Sequence, residues 1–426
     1  MIEVPERRIH VLKTRKRWAR SLALVLSLFA LYNVTFSQQK RLGPSGQSST
    51  NVQFAAGHQA LSIPFEFVDN QIILNVRVND SPPLKFMFDT GASGSLLSAG
   101  KAAELHLSKV GSGRATGVGG SREGYLAAVS LSVPGVKVLN QRIFVLPLEG
   151  LPCEMRDTVG IIGYDFIKEF VVEINYEERT ISLFDPLSYR YTGHGDVIPI
   201  TLKGTPRVRA RVGLPGATVL EGLFEIDTGS DGALSINSPF VIKHALAQSL
   251  KDQLAGSNTG LGGESKTIDA RIASFSLGRY MVANPIVSLS RATEGALSVE
   301  DNDGPIGNEI LHRFRVVLDY SRRSMMLEPN SHLSDPFEND MSGIAIDSEG
   351  KDCHVFKVAG VEEKSPAAEA GIVVGDEIIA VDGKPANQFT STQIEKLLMQ
   401  DAAERSLTLG RDGKARVVKI KLRRRI

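Results

Sequence analysis

Cysteine is nearly absent from this 426-residue chain, which has only Cys153 and Cys353. Placed 200 positions apart in what read as different domains, they offer neither a Cys-x-x-Cys metal motif nor the dense spacing of a cross-linked scaffold. No disulfide framework is therefore expected. The eight histidines are scattered, and none belongs to a His-Glu-x-x-His helix, so neither a metal nor any other cofactor is indicated. An excess of charge of one sign is lacking too. Lys and Arg number 49 against 48 Asp and Glu, a formal net charge of +1 that does not point to nucleic acid as a partner. A basic run at residues 421–425 reads as a solvated tail or strand edge. The apolar run at 21–32 (SLALVLSLFALY) falls short of the about 20 residues that span a bilayer.

That short run has a context. Arg7, Arg8, Lys13, Arg15, Lys16, Arg17 and Arg20 precede it, and Thr35 and Ser37 follow. The order basic, apolar, small is that of an export signal, so residues 1–37 are expected to be a signal peptide or a membrane anchor. The chain is then expected outside the cytoplasm, periplasmic or secreted, touching membrane only through this segment if it is not cleaved. Residues 38–57, rich in Gly, Ser and Gln, read as a linker.

Hydrophobic residues at 42% and charged residues at 23% are ordinary globular usage, and the length suggests two to four domains. Alternating apolar positions at Ile72, Leu74, Val76 and Val78, then Phe86 and Phe88, predict strands separated by a turn at 79–83. Helical signals are few. One begins at Ser238 with Pro239 at the first helical position and is expected to run through Leu246 toward Leu254. The fold class is mostly β.

An internal repeat organises residues 58–330. Phe86-Met87-Phe88-Asp89-Thr90-Gly91-Ala92-Ser93 matches Phe224-Glu225-Ile226-Asp227-Thr228-Gly229-Ser230-Asp231. Downstream, Thr116-Gly117-Val118-Gly119-Gly120 matches Thr259-Gly260-Leu261-Gly262-Gly263, and Gly160-Ile161-Ile162-Gly163 matches Gly304-Pro305-Ile306-Gly307. Each copy ends in a hairpin-like segment, at 171–184 and 316–327. Two tandem lobes are expected, at 58–190 and 191–330. From 341 to 426 the pattern changes to a compact α+β unit. Its first helical turn is capped by Ser365, and a second helix is expected to start with a capping box at Thr392 and Glu395.

A lone Asp-Thr-Gly is weak, since about 0.1 copies arise by chance in a chain this long. Two copies, each after a strand and before a Gly-rich hairpin, point to chemistry. Two carboxylates held about 3 Å apart cannot both ionise; they share a proton and titrate as a pair. One member can then draw a proton from water while the other hydrogen-bonds a carbonyl oxygen, which suits hydrolysis without metal or covalent nucleophile. Gly91 and Gly229 let backbone pass closely under the carboxyl groups, and Thr90 and Thr228 place hydroxyls suited to locking the loops together.

These motifs resemble the pepsin and retropepsin superfamily of aspartic proteases, especially its bacterial retropepsin-like branch. The resemblance implies Asp89 and Asp227 as the catalytic pair, supported by Thr90, Gly91, Thr228, Gly229 and Ser230, acting as an endopeptidase on protein or peptide substrates. It implies two flaps, one at Gly117, Val118, Gly119 and Gly120, the other at Gly260, Leu261, Gly262 and Gly263. Ala92 stands where pepsin-like enzymes carry a hydroxyl, Pro305 replaces an apolar residue, and neither flap has the pepsin tyrosine. A catalytically inactive peptide-binding adaptor is the competing reading.

The C-terminal unit, through Ser365-Pro366-Ala367-Ala368-Glu369-Ala370-Gly371 and Gly375-Asp376-Glu377-Ile378-Ile379-Ala380-Val381-Asp382-Gly383, resembles a PDZ domain. That implies a groove in which a peptide C-terminus adds as a strand, with Gly343, Ile344, Ala345 and Ile346 as carboxylate loop and edge strand.

Overall fold

The computed structural model describes residues 51–148 and 151–426, together with the backbone of a short strand, Leu22–Leu24, laid parallel to Leu254–Gly260. The rest of the leading segment lies outside the described residues.

The first lobe is a sheet in which Gln71–Val78, Leu84–Phe88 and Thr158–Ile162 lie side by side, flanked by the long hairpin arms Lys109–Gly117, Gly120–Val133 and Val136–Leu146. The second repeats it with Pro206–Gly213, Val219–Ile226 and Pro305–Ile306, and with the hairpin Leu254–Gly260 and Gly263–Arg271. Phe86, Phe88, Phe224 and Ile226 are fully buried, each side chain contributing about 1.5–3 kcal/mol through lost apolar surface. The strands that carry the Asp-Thr-Gly loops are thereby anchored in core.

The lobes join through a shared sheet. Its order is Gln59–Pro64, Thr180–Phe184, Val171–Asn175, Phe314–Asp319, Ser324–Pro329 and Asp196–Leu202. The two terminal hairpins of the repeats meet at the middle, Val171 opposite Asp319 and Ile174 opposite Val316. One hydrophobic core runs through both lobes, from Ile63 and Phe86 to Phe224 and Phe314. This is a pseudo-twofold bilobal β unit. The C-terminal α+β unit keeps a core of its own around Phe356, Ile378, Ile394 and Leu407.

Several sequence expectations are corrected. Cys153 and Cys353 are bonded to each other, tying the first lobe to the C-terminal unit. Sequence spacing could not reveal this, because only the docking of two domains brings the thiols together. The helix at 238 stops at Lys243. Ala245 turns left-handed (φ +50°), Leu246–Ser249 forms a separate turn, and Leu254 already starts a strand. The later helix, Ser391–Leu398, is capped by Thr390 with Gln393, not by Thr392 with Glu395. Thr392 Oγ1 bonds Asp69 of the first lobe instead, at 3.0 Å. Val52–Phe54, inside the expected linker, pairs with Val136–Leu146. The basic end is no solvated tail. Leu422 and Ile426 are buried, and Arg423, Arg424 and Arg425 pair with Glu369, Glu338 and Glu362.

Candidate active site

Strands Leu84–Phe88 and Val219–Ile226 end at Asp89 and Asp227, and the backbone N–H of each aspartate donates to a strand beside it: Asp89 to Ile162 O and Asp227 to Ile306 O, both 3.0 Å. Both aspartates are 0% exposed. Gly91 N and Ala92 N donate to Asp89 Oδ1 at 2.8 and 2.9 Å, and Gly229 N donates to Asp227 Oδ1 at 2.9 Å. The carboxyl groups lie across the lobe boundary. A Cβ on Gly91 would stand 2.5 Å from the Asp227 carboxyl carbon, and one on Gly229 would overlap the Asp89 carboxyl carbon. Glycine at both positions is a steric requirement of this packing.

The threonines interlock. Thr90 Oγ1 donates to Ile226 O (2.7 Å) and accepts from Thr228 N (3.0 Å); Thr228 Oγ1 donates to Phe88 O (2.8 Å) and accepts from Thr90 N (3.1 Å). Four reciprocal bonds, all buried, clamp the two loops. Ser230 is buried beside Gly307.

Burial, followed by the Asp227 charge and a hydrogen bond with its carboxyl, holds Asp89 well above the ordinary aspartate range. Its Oδ2 takes no N–H or hydroxyl donor among the described residues. Behind Asp227, the buried Glu225 is pushed up to about 8, by burial first and the Asp227 charge second. Both shifts favour the protonated forms, as two carboxyl groups in contact require.

Both hairpin tips close over one another. Gly119 N donates to Leu261 O (3.0 Å), and Arg122 Nη2 donates to Gly262 O (2.9 Å). Backbone runs so close that a Cβ on Gly119 would overlap Gly263 and one on Gly117 would stand 2.6 Å from Leu261, while Gly120 and Gly262 adopt φ of +117° and +92°. Each tip inserts an apolar residue into the opposite lobe: Val118 packs with Leu297, and Leu261 joins Ala115, Phe144 and Met155. Gly260 precedes Leu261 at the end of its strand.

Sequence reasoning missed the polar braces. Gln71 Nε2 donates to Gly229 O (2.8 Å). Asn308 Nδ2 donates to Thr228 O (2.7 Å) and Asn70 O (2.6 Å), while Tyr176 donates to Asn308 Oδ1 (2.7 Å). The signal for Asn308 was in the repeat itself: it stands where the first copy has Tyr164, a polar residue replacing an aromatic one. As for a metal, His312, His332 and Asp335 bring ligand atoms within 4.8 Å of one another, and neither aspartate is among them. His312 Nδ1 is engaged by Asn308 O and His332 Nδ1 by Asp335.

Ile344, Ala345 and Ile346 lie where the α+β unit meets the lobes, while Gly343 packs inside that unit against Ser365. Ile344–Glu349 is an edge strand, paired with Val355–Val361 alone among the described residues, and the helix Ser391–Leu398 flanks it.

Residues 74–166 match the aspartyl protease family, and residues 357–409 match the PDZ domain family. The chain joins an aspartyl-protease unit to a PDZ domain. Among solved structures, the aspartic proteinase from Irpex lacteus is similar at 17% identity over 65% of this chain and 99% of that one, with a TM-score of 0.44. No curated protein matches the chain.

Proposed function

We propose that this protein is an aspartic endopeptidase, exported from the cytoplasm, that hydrolyses peptide bonds with a water held between Asp89 and Asp227. The observation that carries the reading is the threonine clamp, which sets each carboxyl group against the opposite lobe's glycine. Asp89 holds the shared proton on Oδ2, consistent with its raised affinity for protons. Asp227 is the base that takes a proton from water. Asp89 then hydrogen-bonds the scissile carbonyl and stabilises the charge that develops there. The flaps exclude bulk water, which strengthens these interactions.

A peptide-binding adaptor would have no use for two buried carboxyl groups, whose desolvation costs stability. The Cys153–Cys353 bond supports export, since such bonds persist in oxidising compartments. The PDZ domain is assigned to holding substrate or partner peptides. A peptide-library digest by wild type beside Asp89→Asn tests the reading: cleavage by the first and none by the second is expected, and equal cleavage would refute it.

A further inference from the structure

The PDZ edge strand opens into a crevice of about 660 Å³ whose far wall is the protease unit. Ile344, Ile346 and Glu395 line one side; Asp69, Gln71 and Asp231 line the other. Gln71 reaches Gly229 O, and Asn70 Nδ2 bonds Asp231 O at 3.1 Å, so the crevice ends on the loop that carries Asp227. The domain is fixed in this pose by the disulfide, by Arg156 Nη1 to Gly350 O (2.7 Å), and by Ser348 Oγ to Glu154 Oε1 (2.6 Å).

The loop that would receive a peptide's terminal carboxylate is already filled. Ser342 N and Gly343 N donate to the Asp340 carboxylate at 3.1 and 2.5 Å, and Ile344 N donates to Ser342 Oγ at 3.0 Å. Ser342 Oγ donates to the same carboxylate at 2.5 Å, and Arg425 Nη2 stands 3.8 Å from it. Two successive backbone donors thus face a carboxylate of the chain's own, and the third is taken up by the Ser342 hydroxyl. A second carboxylate arriving there would meet a like charge and no free N–H.

The walls state the charge of what fits. Asp69, Glu154, Asp231, Asp347, Glu349 and Glu395 border the crevice, whereas its cations are Lys396 and Arg425, the latter already paired with Glu362. A strand laid along Ile344–Glu349 satisfies the open backbone edge, and Lys or Arg side chains on it meet carboxylates on both walls.

We propose that this crevice takes an internal, Lys- or Arg-bearing segment of a polypeptide substrate, added as a strand to Ile344–Glu349, and not a free C-terminus. The segment is thereby delivered toward the loop of Asp227. The delivery step rests on the protease reading above; the binding does not.

The test uses the full chain carrying Asp89→Asn and a fluorescent, N-acetylated peptide of about ten residues alternating Lys and Val, long enough to span the edge strand. Anisotropy titrations compare its C-terminal amide, its free acid, and a version with Glu for Lys. Amide and acid are expected to bind equally, and the Glu version about tenfold or more weaker, as is the Lys peptide on Asp347→Lys. Asp340→Ala, which frees the loop, is expected to make the acid bind about tenfold tighter than the amide. A preference for the free acid before that substitution, equal binding of the Glu peptide, or no binding of any peptide overturns the proposal. Cleavage of the bound peptide by wild type reads the protease assignment separately.

Discussion

Glu225→Gln isolates the electrostatics around the aspartates without touching either of them. Glu225 lies on Val219–Ile226, two residues before Asp227, and is buried. Burial and the Asp227 charge raise its carboxyl from 4.5 to about 8, against Thr205 and Arg207, which favour ionisation. An acid raised in the folded state stays neutral there but ionises on unfolding, so unfolding releases a proton. The cost to stability is absent below the unfolded value, grows as pH rises, and is complete above the folded value. At about 1.36 kcal/mol per unit, the interval from the ordinary glutamate value to pH 7 amounts to about 3 kcal/mol. Above pH 8 the cost reaches about 5 kcal/mol by the same conversion. Glutamine keeps the shape and removes the titration. Urea midpoints at constant m-value should therefore coincide with wild type near pH 4 and show the variant about 3 kcal/mol more stable at pH 7. An offset that is the same at both pH values, or absent at neutral pH, would refute the reasoning.

Other outcomes follow from the same geometry. Thr228→Val deletes a hydroxyl that donates to Phe88 O and accepts from Thr90 N, leaving both buried groups unpaired; it should cost about 2–4 kcal/mol in denaturation and lower kcat with it. Gly119→Val forces a side chain into the Gly263 backbone and should part the flap tips, cutting kcat/KM about tenfold or more while leaving the melting temperature near wild type. Because Asp89 must keep its proton, kcat/KM should fall on the alkaline side as the pair loses it, a limb visible in a pH–rate profile. Cys153→Ser opens a 200-residue covalent loop, worth about 5 kcal/mol in the chain-entropy account; the PDZ unit should then unfold separately from the lobes in a urea series followed by two probes.

The lobes were legible in the sequence because duplication writes each element twice. The strands at Ile72–Val78 and Phe86–Phe88, the Asp-Thr-Gly loops and the closing hairpins can be paired from the repeat alone. Buried strands with regular alternation also leave little choice of register. What stayed hidden depends on contacts between distant segments. The disulfide, the Thr392–Asp69 bond and the burial of Ile426 arise only when the C-terminal unit docks. Gln71 reaches Gly229 O across the lobe boundary, and Asn308 ties Thr228 O of its own lobe to Asn70 O of the other; the repeat marks Asn308 as a departure but does not report these partners. The helix beginning at Ser238 failed for a local reason: no apolar period marked the break at Ala245, a residue that ordinarily favours helix.

The central claim is that one chain supplies both acids of one site, and mixing two crippled chains tests it most directly. Asp89→Asn and Asp227→Asn are each assayed on a cleavable peptide, alone and together after co-refolding. The account predicts that each alone loses about a thousandfold or more in kcat, and that the mixture stays equally inactive. Full activity in either variant, or recovery in the mixture through pairing between chains, would contradict it.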